Sequence, residues 1–160
     1  AGGLRGTKRW LYEGGIRAAM AVRWPGRIPA GEKSSFIWDM RDVFPTLCEL
    51  GGAKTHENLD GISVVPTLMG NAQKPRDMHY WEIHSPFQQA VRFGDWKGIR
   101  FGTEEPLELY DLKNDPQEKQ NVAADNAAVV QKLETFLATA RTESPYFPAV
   151  HKKKSKKKKR

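Results

Sequence analysis

Ile16, Ala18, Met20 and Val22 alternate with Arg17, Ala19, Ala21 and Arg23, and this period of two predicts a strand. Two prolines and two glycines between Trp24 and Gly31 end it in a turn-rich link. Asp39, followed three residues later by Asp42, has the spacing of a helix N-cap with a carboxylate near the first-turn amides. Pro45 is tolerable because it falls early in that helix. Val43, Phe44, Leu47, Cys48 and Leu50 then form one apolar face, closed by Gly51-Gly52. After a loop from Ala53 to Asn58, residues 59–70 predict a turn and a short helix. Four aromatic and β-branched runs follow, Met78–Ile83, Ala90–Phe93, Trp96–Phe101 and Leu107–Leu112. Gly94-Asp95 separates the second from the third by the length of a tight hairpin, so the four runs predict an antiparallel sheet. Asn114-Asp115-Pro116 is a turn. Asn126–Arg141 is the clearest helix, with Val129, Val130, Leu133, Phe136, Leu137 and Ala140 spaced to cover that sheet.

The chain thus divides into residues 1–75, which have no closed core of their own and are expected to be the incomplete end of a larger α/β domain, and residues 76–148, a small sheet-plus-helix subdomain. Residues 149–160 form a basic tail. Of 160 residues, 39% are hydrophobic and 10% aromatic, enough for a folded core. The net charge of +7 invites a nucleic-acid reading, but eight of the 26 basic residues lie in Lys152–Lys154 and Lys156–Arg160. Removing them leaves 18 basic against 19 acidic residues, a nearly neutral body with no specific nucleic-acid face. The tail itself is expected to be disordered and is a candidate for binding polyanions. No apolar stretch is long enough for a membrane span, and no signal-peptide core can be drawn in the first 25 residues. The start at Ala1 and the unfinished first part lead us to expect a piece of a longer protein.

Candidate chemistry is sparse. One cysteine, Cys48, excludes an internal disulfide, and the histidines at 56, 79, 84 and 151 form no His-x-x-x-His pair. On a strand, His79, Trp81 and Ile83 share one face and Tyr80, Glu82 and His84 the other. Trp81, Glu82 and His84 are candidate substrate contacts, with a solvated edge strand as the alternative. The segment from Arg5 to Arg17 sets cations on a glycine-containing loop, a composition suited to an anionic oxygen ligand and equally open to a solvated loop.

The spacing Gly6-Thr7-Lys8, then Glu13-Gly14-Gly15-Ile16-Arg17, then Trp24-Pro25-Gly26 resembles the sulfatase family of the alkaline phosphatase superfamily. The resemblance continues through Asp42–Leu47, Leu59–Ser63, Val91–Lys97, Glu108–Leu112 and Asn114–Glu118, and covers roughly residues 3 to 141. It implies an α/β fold, here the C-terminal part of an alkaline-phosphatase-like sulfatase, with a four-stranded antiparallel sheet covered by a C-terminal helix. It also implies hydrolysis of sulfate esters of an aryl alcohol or saccharide, using a formylglycine made from Cys or Ser in a Cys/Ser-x-Pro-x-Arg motif, with a bound calcium ion. No such motif occurs in this sequence, and Cys48 is followed by Glu49-Leu50-Gly51. Nucleophile and calcium ligands are therefore expected upstream of Ala1, in an N-terminal sulfatase portion, and the chain alone is expected to be inactive. Lys8 is the one active-site residue that carries over, as a catalytic cation on the sulfate. Glu13, Gly14, Gly15 and Arg17 match the motif and are expected to hold the loop. The family also implies an exported protein. A phosphomonoester or phosphodiester hydrolase of the same superfamily and a non-catalytic polyanion-binding module are the competing readings.

Overall fold

The computed structural model describes residues 2–149, so the basic tail and the expectations attached to it lie outside the described residues. The elements run in the order α1 (Glu13–Ile16), α2 (Met40–Leu50), α3 (Val65–Leu68), β1 (His79–His84), β2 (Phe87–Phe93), β3 (Trp96–Arg100), β4 (Glu108–Asp111) and α4 (Ala127–Leu137). They fall into two compact units, one formed by the residues up to Ala18 together with those from Asp77 onward, the other by Ala19–Arg76. The boundary near residue 76 coincides with the change in sequence texture. The first 18 residues, however, cluster with the sheet instead of with the segment that follows them.

In the sheet unit the strands lie in sequential antiparallel order β1-β2-β3-β4. β1 passes into β2 through Ser85 and a cis-Pro86, and β2 into β3 through Gly94-Asp95. Register then sorts the side chains. Tyr80, Val91, Gly98 and Leu109 form one cross-strand row, while Trp81, Ala90, Ile99 and Glu108 form the neighbouring row on the opposite face. The first face is covered by α4, whose Leu133 and Leu137 pack with Val91, Leu107 and Leu109. The second is covered by the N-terminal segment, whose Leu11 and Tyr12 join Ala90, Ile99, Tyr110 and Leu112. Both faces of this small sheet are therefore used.

The predicted strand over 16–22 does not form. Glu13–Ile16 is a single helical turn, and residues 17–24 are irregular and exposed. Alternation is only one half of a strand, and these residues have no ladder partner among the described residues.

In the second unit α2 begins as the sequence predicts. The Asp39 carboxylate accepts from the Arg41 N–H, and the Asp42 carboxylate accepts from the Asp39 N–H, closing a capping box. Its end is a Schellman arrangement in which the Gly52 N–H bonds the Glu49 carbonyl, the Ala53 N–H bonds the Cys48 carbonyl, and Gly52 sits at φ +68°. The buried side of α2 is not the apolar stripe. Asp42 and Thr46 are buried because the Asp42 carboxylate accepts from the Ile62 N–H and from the Arg76 guanidinium, while Thr46 Oγ1 accepts from the Val64 N–H. Met40 (83% exposed), Leu47 (62%) and Phe44 lie open. No helix among the described residues is long and apolar enough to cross a membrane.

Leu133 is fully buried between α4 and the sheet, so Leu133→Ala leaves a cavity under Val91 and Leu109. A loss of about 2–5 kcal/mol is expected. A urea midpoint unchanged from wild type would show that α4 does not depend on this contact.

Candidate active site

Lys8 lies in the turn Thr7–Trp10, closed by the bond from the Trp10 N–H to the Thr7 carbonyl (3.0 Å), and its side chain is exposed. Arg9, next in the chain, has φ +75°, a left-handed conformation that a non-glycine residue adopts only when its surroundings hold it there.

The surroundings are built on both sides of the turn. Before it, Arg5 Nη1 donates to the Tyr110 hydroxyl (2.8 Å) and to the Glu118 carbonyl (2.7 Å), with its guanidinium carbon 3.9 Å from the centre of the Tyr12 ring. After it, the Tyr12 hydroxyl donates to Glu108 Oε2 (2.7 Å), which also accepts from the Tyr110 hydroxyl (2.7 Å). Burial, reinforced by the bond to the Glu108 carboxylate, pushes the Tyr110 phenol up to about 12 and the Tyr12 phenol well above its ordinary range. Both remain neutral donors across the physiological range.

The Glu-Gly-Gly run supplies the deepest anchor. Lys97, on β3, has no solvent exposure; its Nζ lies 2.8 Å from Glu13 Oε1 and 2.9 Å from Glu118 Oε1. Glu118 Oε2 in turn accepts from the Glu13 N–H (2.7 Å). Burial raises the Glu118 carboxyl above its usual range, opposed by Lys97 and by the Glu13 N–H. The glycines are needed for space. A Cβ on Gly14 would sit 2.4 Å from the Gly6 carbonyl oxygen, and one on Gly15 would sit 1.9 Å from the Trp10 carbonyl oxygen. Arg17 is largely exposed, 3.9 Å from Glu13, and adds a weak surface pair. Glu13, Gly14 and Gly15 thus hold the turn that carries Lys8, and Arg17 lies at the edge of that arrangement.

Trp81, Glu82 and His84 are not brought together. Trp81 packs against the core formed by Leu11, Tyr12 and Ala90, with its ring stacked on His79 at 5.8 Å. Glu82 points from the other face and is taken up internally, accepting from the Tyr80 hydroxyl (2.6 Å), Gln89 Nε2 (3.2 Å) and Arg141 Nε (3.0 Å). His84, at the end of β1, is exposed, with its ring 6.0 Å from that of Phe147. Among the described residues no cluster of three or more His, Cys, Asp or Glu side chains could hold a metal ion.

Sequence reasoning passed over Lys97 and Glu118 as chemistry, although both fall inside motifs it singled out. It also passed over Glu108 and Gln88, and it took Arg5 only as one of the cations of the Arg5–Arg17 loop. The available signal was a lysine on the same strand face as Ile99, where a purely apolar row would be the default.

Residues 6–143 match the family described as N-sulphoglucosamine sulphohydrolase, C-terminal. The chain is 29% identical over 150 residues to N-acetylglucosamine-6-O-sulfatase of Bacteroides thetaiotaomicron, covering 87% of this chain and 27% of that protein. A solved structure from the same organism, described under the metabolism of multiple glycosaminoglycans, superposes with a TM-score of 0.76 at 28% identity over 87% of this chain and 32% of that one. Another, in complex with its substrate D-glucosamine-2-N,6-O-disulfate, superposes with a TM-score of 0.62 at 25% identity, covering 72% of this chain and 26% of that one. The chain therefore spans about a quarter to a third of the length of these relatives.

The raised Glu118 carboxyl has a sign that can be measured. The native state holds that proton more tightly than the unfolded chain, so its stabilisation is complete below the ordinary glutamate value of 4.5 and is lost as pH rises through the raised native value. Wild type should therefore lose stability relative to Glu118→Gln as pH rises from about 4.5 through the raised native value. Urea midpoints of the two proteins that keep a constant gap across that range would contradict it.

Proposed function

Because this chain belongs to the N-sulphoglucosamine sulphohydrolase C-terminal family of sulfatases, we propose that it supplies one wall of a sulfatase active site acting on a sulfated saccharide, with Lys8 as its catalytic cation. The observation that carries this reading is an exposed ammonium on a turn whose two flanks are tied to the sheet unit, by Arg5 on one side and by Glu13 with Lys97 and Glu118 on the other. When a sulfate ester is cleaved, negative charge grows on the oxygen that leaves sulfur. A positioned ammonium stabilises that charge through charge-assisted hydrogen bonds without reorganising. The N-acetylglucosamine-6-O-sulfatase relative and the complex with D-glucosamine-2-N,6-O-disulfate support an amino-sugar sulfate as substrate.

In this reading the formylglycine nucleophile and the calcium ligands come from sequence upstream of residue 1, and the chain by itself shows no turnover. Export to a compartment where sulfated glycans are met belongs to the same reading. Of the three side chains on β1, only His84 is free of core packing and internal carboxylate bonding, so the proposal for substrate contact narrows to it.

In the complete enzyme, Lys8→Ala should lower kcat/KM by ~10²–10³-fold with an unchanged melting temperature, since the side chain is exposed. Unchanged turnover of a sulfated saccharide would remove Lys8 from the site. His84→Ala should alter discrimination between sulfated saccharides more than it alters hydrolysis of a small aryl sulfate. Equal effects on both would return His84 to an ordinary surface position.

A further inference from the structure

Gln88 is a fully buried amide that forms part of no cross-strand polar pair on its own face of the sheet. It lies on β2, in register with Ile83 on the edge strand, on the face covered by the N-terminal segment. Its Oε1 accepts from the Leu11 N–H (3.2 Å) and its Nε2 donates to the Arg9 carbonyl (3.0 Å). One side chain therefore grips the backbone on both sides of Trp10. The amide reproduces what a neighbouring strand would offer, one acceptor and one donor at the right separation, to a segment that has no neighbouring strand there.

The position of that grip matters. The Arg9 carbonyl belongs to the residue directly after Lys8, and Arg9 is the non-glycine residue of this turn held at positive φ. Immediately on the other side, the Trp10 carbonyl is crowded against the Gly15 backbone, and the Trp10 N–H closes the turn onto Thr7. With Arg9 and Leu11 fixed to β2, the path of the backbone through Lys8 is set by the sheet and not by the turn alone. Glu13 and Lys97 hold the C-terminal end of the segment five residues further on; Gln88 acts next to the cation itself.

We propose that Gln88 is the positioning residue for Lys8, fixing where its ammonium meets the sulfate while touching no substrate itself. This rests on the reading of Lys8 as the catalytic cation. Displacing a catalytic group by about an ångström can cost on the order of 10²-fold in rate. The effect belongs in kcat, because Lys8 is expected to act on charge that develops during bond cleavage.

The test is a double-mutant cycle in the complete enzyme, with a sulfated glucosamine as substrate. Gln88→Leu removes both bonds at similar volume, and Gln88→Glu keeps the acceptor for Leu11 while losing the donor to Arg9. Gln88→Leu is expected to lower kcat by about 10–100-fold with KM little changed, and Gln88→Glu to fall between it and wild type. In the Lys8→Ala background, neither substitution should lower kcat further by more than about twofold, since the group being positioned is gone. If Gln88→Leu lowers kcat by the same factor with and without Lys8, or leaves wild-type kcat intact, the positioning role is overturned. If Gln88→Leu does not fold, Gln88→Glu carries the same cycle. If Lys8→Ala alone retains wild-type turnover, the reading of Lys8 itself fails and the role of Gln88 falls with it.

Discussion

A lysine with no access to water is the constraint around which this molecule is organised. Lys97 projects from the middle of the sheet into a dry interior, where an unpaired ammonium would be strongly unfavourable. Its two carboxylate partners come from segments far apart in sequence, Glu13 from the N-terminal loop and Glu118 from the turn after β4. Neutralising Lys97 therefore draws both segments onto one face of the sheet. The Glu13 main chain joins the same cluster through its bond to Glu118, so the direction of the N-terminal segment is set along with its position. An apolar contact of equal area would tolerate sliding. A buried ion cluster has far fewer acceptable geometries.

The sheet thereby divides its labour between two faces. The side under α4 is held by area, with leucines and valines packed from both elements. The side under the N-terminal segment is held by direction, through Tyr12, Tyr110 and Arg5 meeting at Glu108 and the Glu118 carbonyl, and through Gln88. Area sets stability, and direction sets placement. The turn carrying Lys8 rests on the second kind of face.

Much of the fold was legible in the sequence. Four antiparallel strands, the hairpin at Gly94-Asp95 and α4 follow from periods of two and of roughly 3.6 and from turn spacing, and the box at Asp39 and Asp42 from cap spacing. What could not be read depended on neighbours. β2 starts at Phe87, earlier than its apolar run, because Gln88 and Gln89 are polar in composition yet buried by specific partners. Ile16–Val22 has the pattern of a strand but no ladder partner among the described residues. Lys97 and Glu118 look like solvent-facing residues of a strand and a turn, and only their mutual approach makes them interior. At the site, the Lys8 loop and the Glu13-Gly14-Gly15 run were visible as a family motif, whereas the roles of Lys97, Glu118 and Gln88 in holding it depend on partners distant in sequence.

The two glycines after Glu13 separate what the signature reports from what the active site does. Gly14 and Gly15 are small because main-chain carbonyls of residues 4–7 and of Trp10 press against them. The Glu-Gly-Gly run is thus a record of how one backbone segment folds over another. A chain with that run but another residue five positions before the glutamate would keep the same loop and lose the cation on it. As a diagnostic, the run identifies a backbone architecture, and on the proposal for Lys8 it is the residue at position 8 that identifies the chemistry.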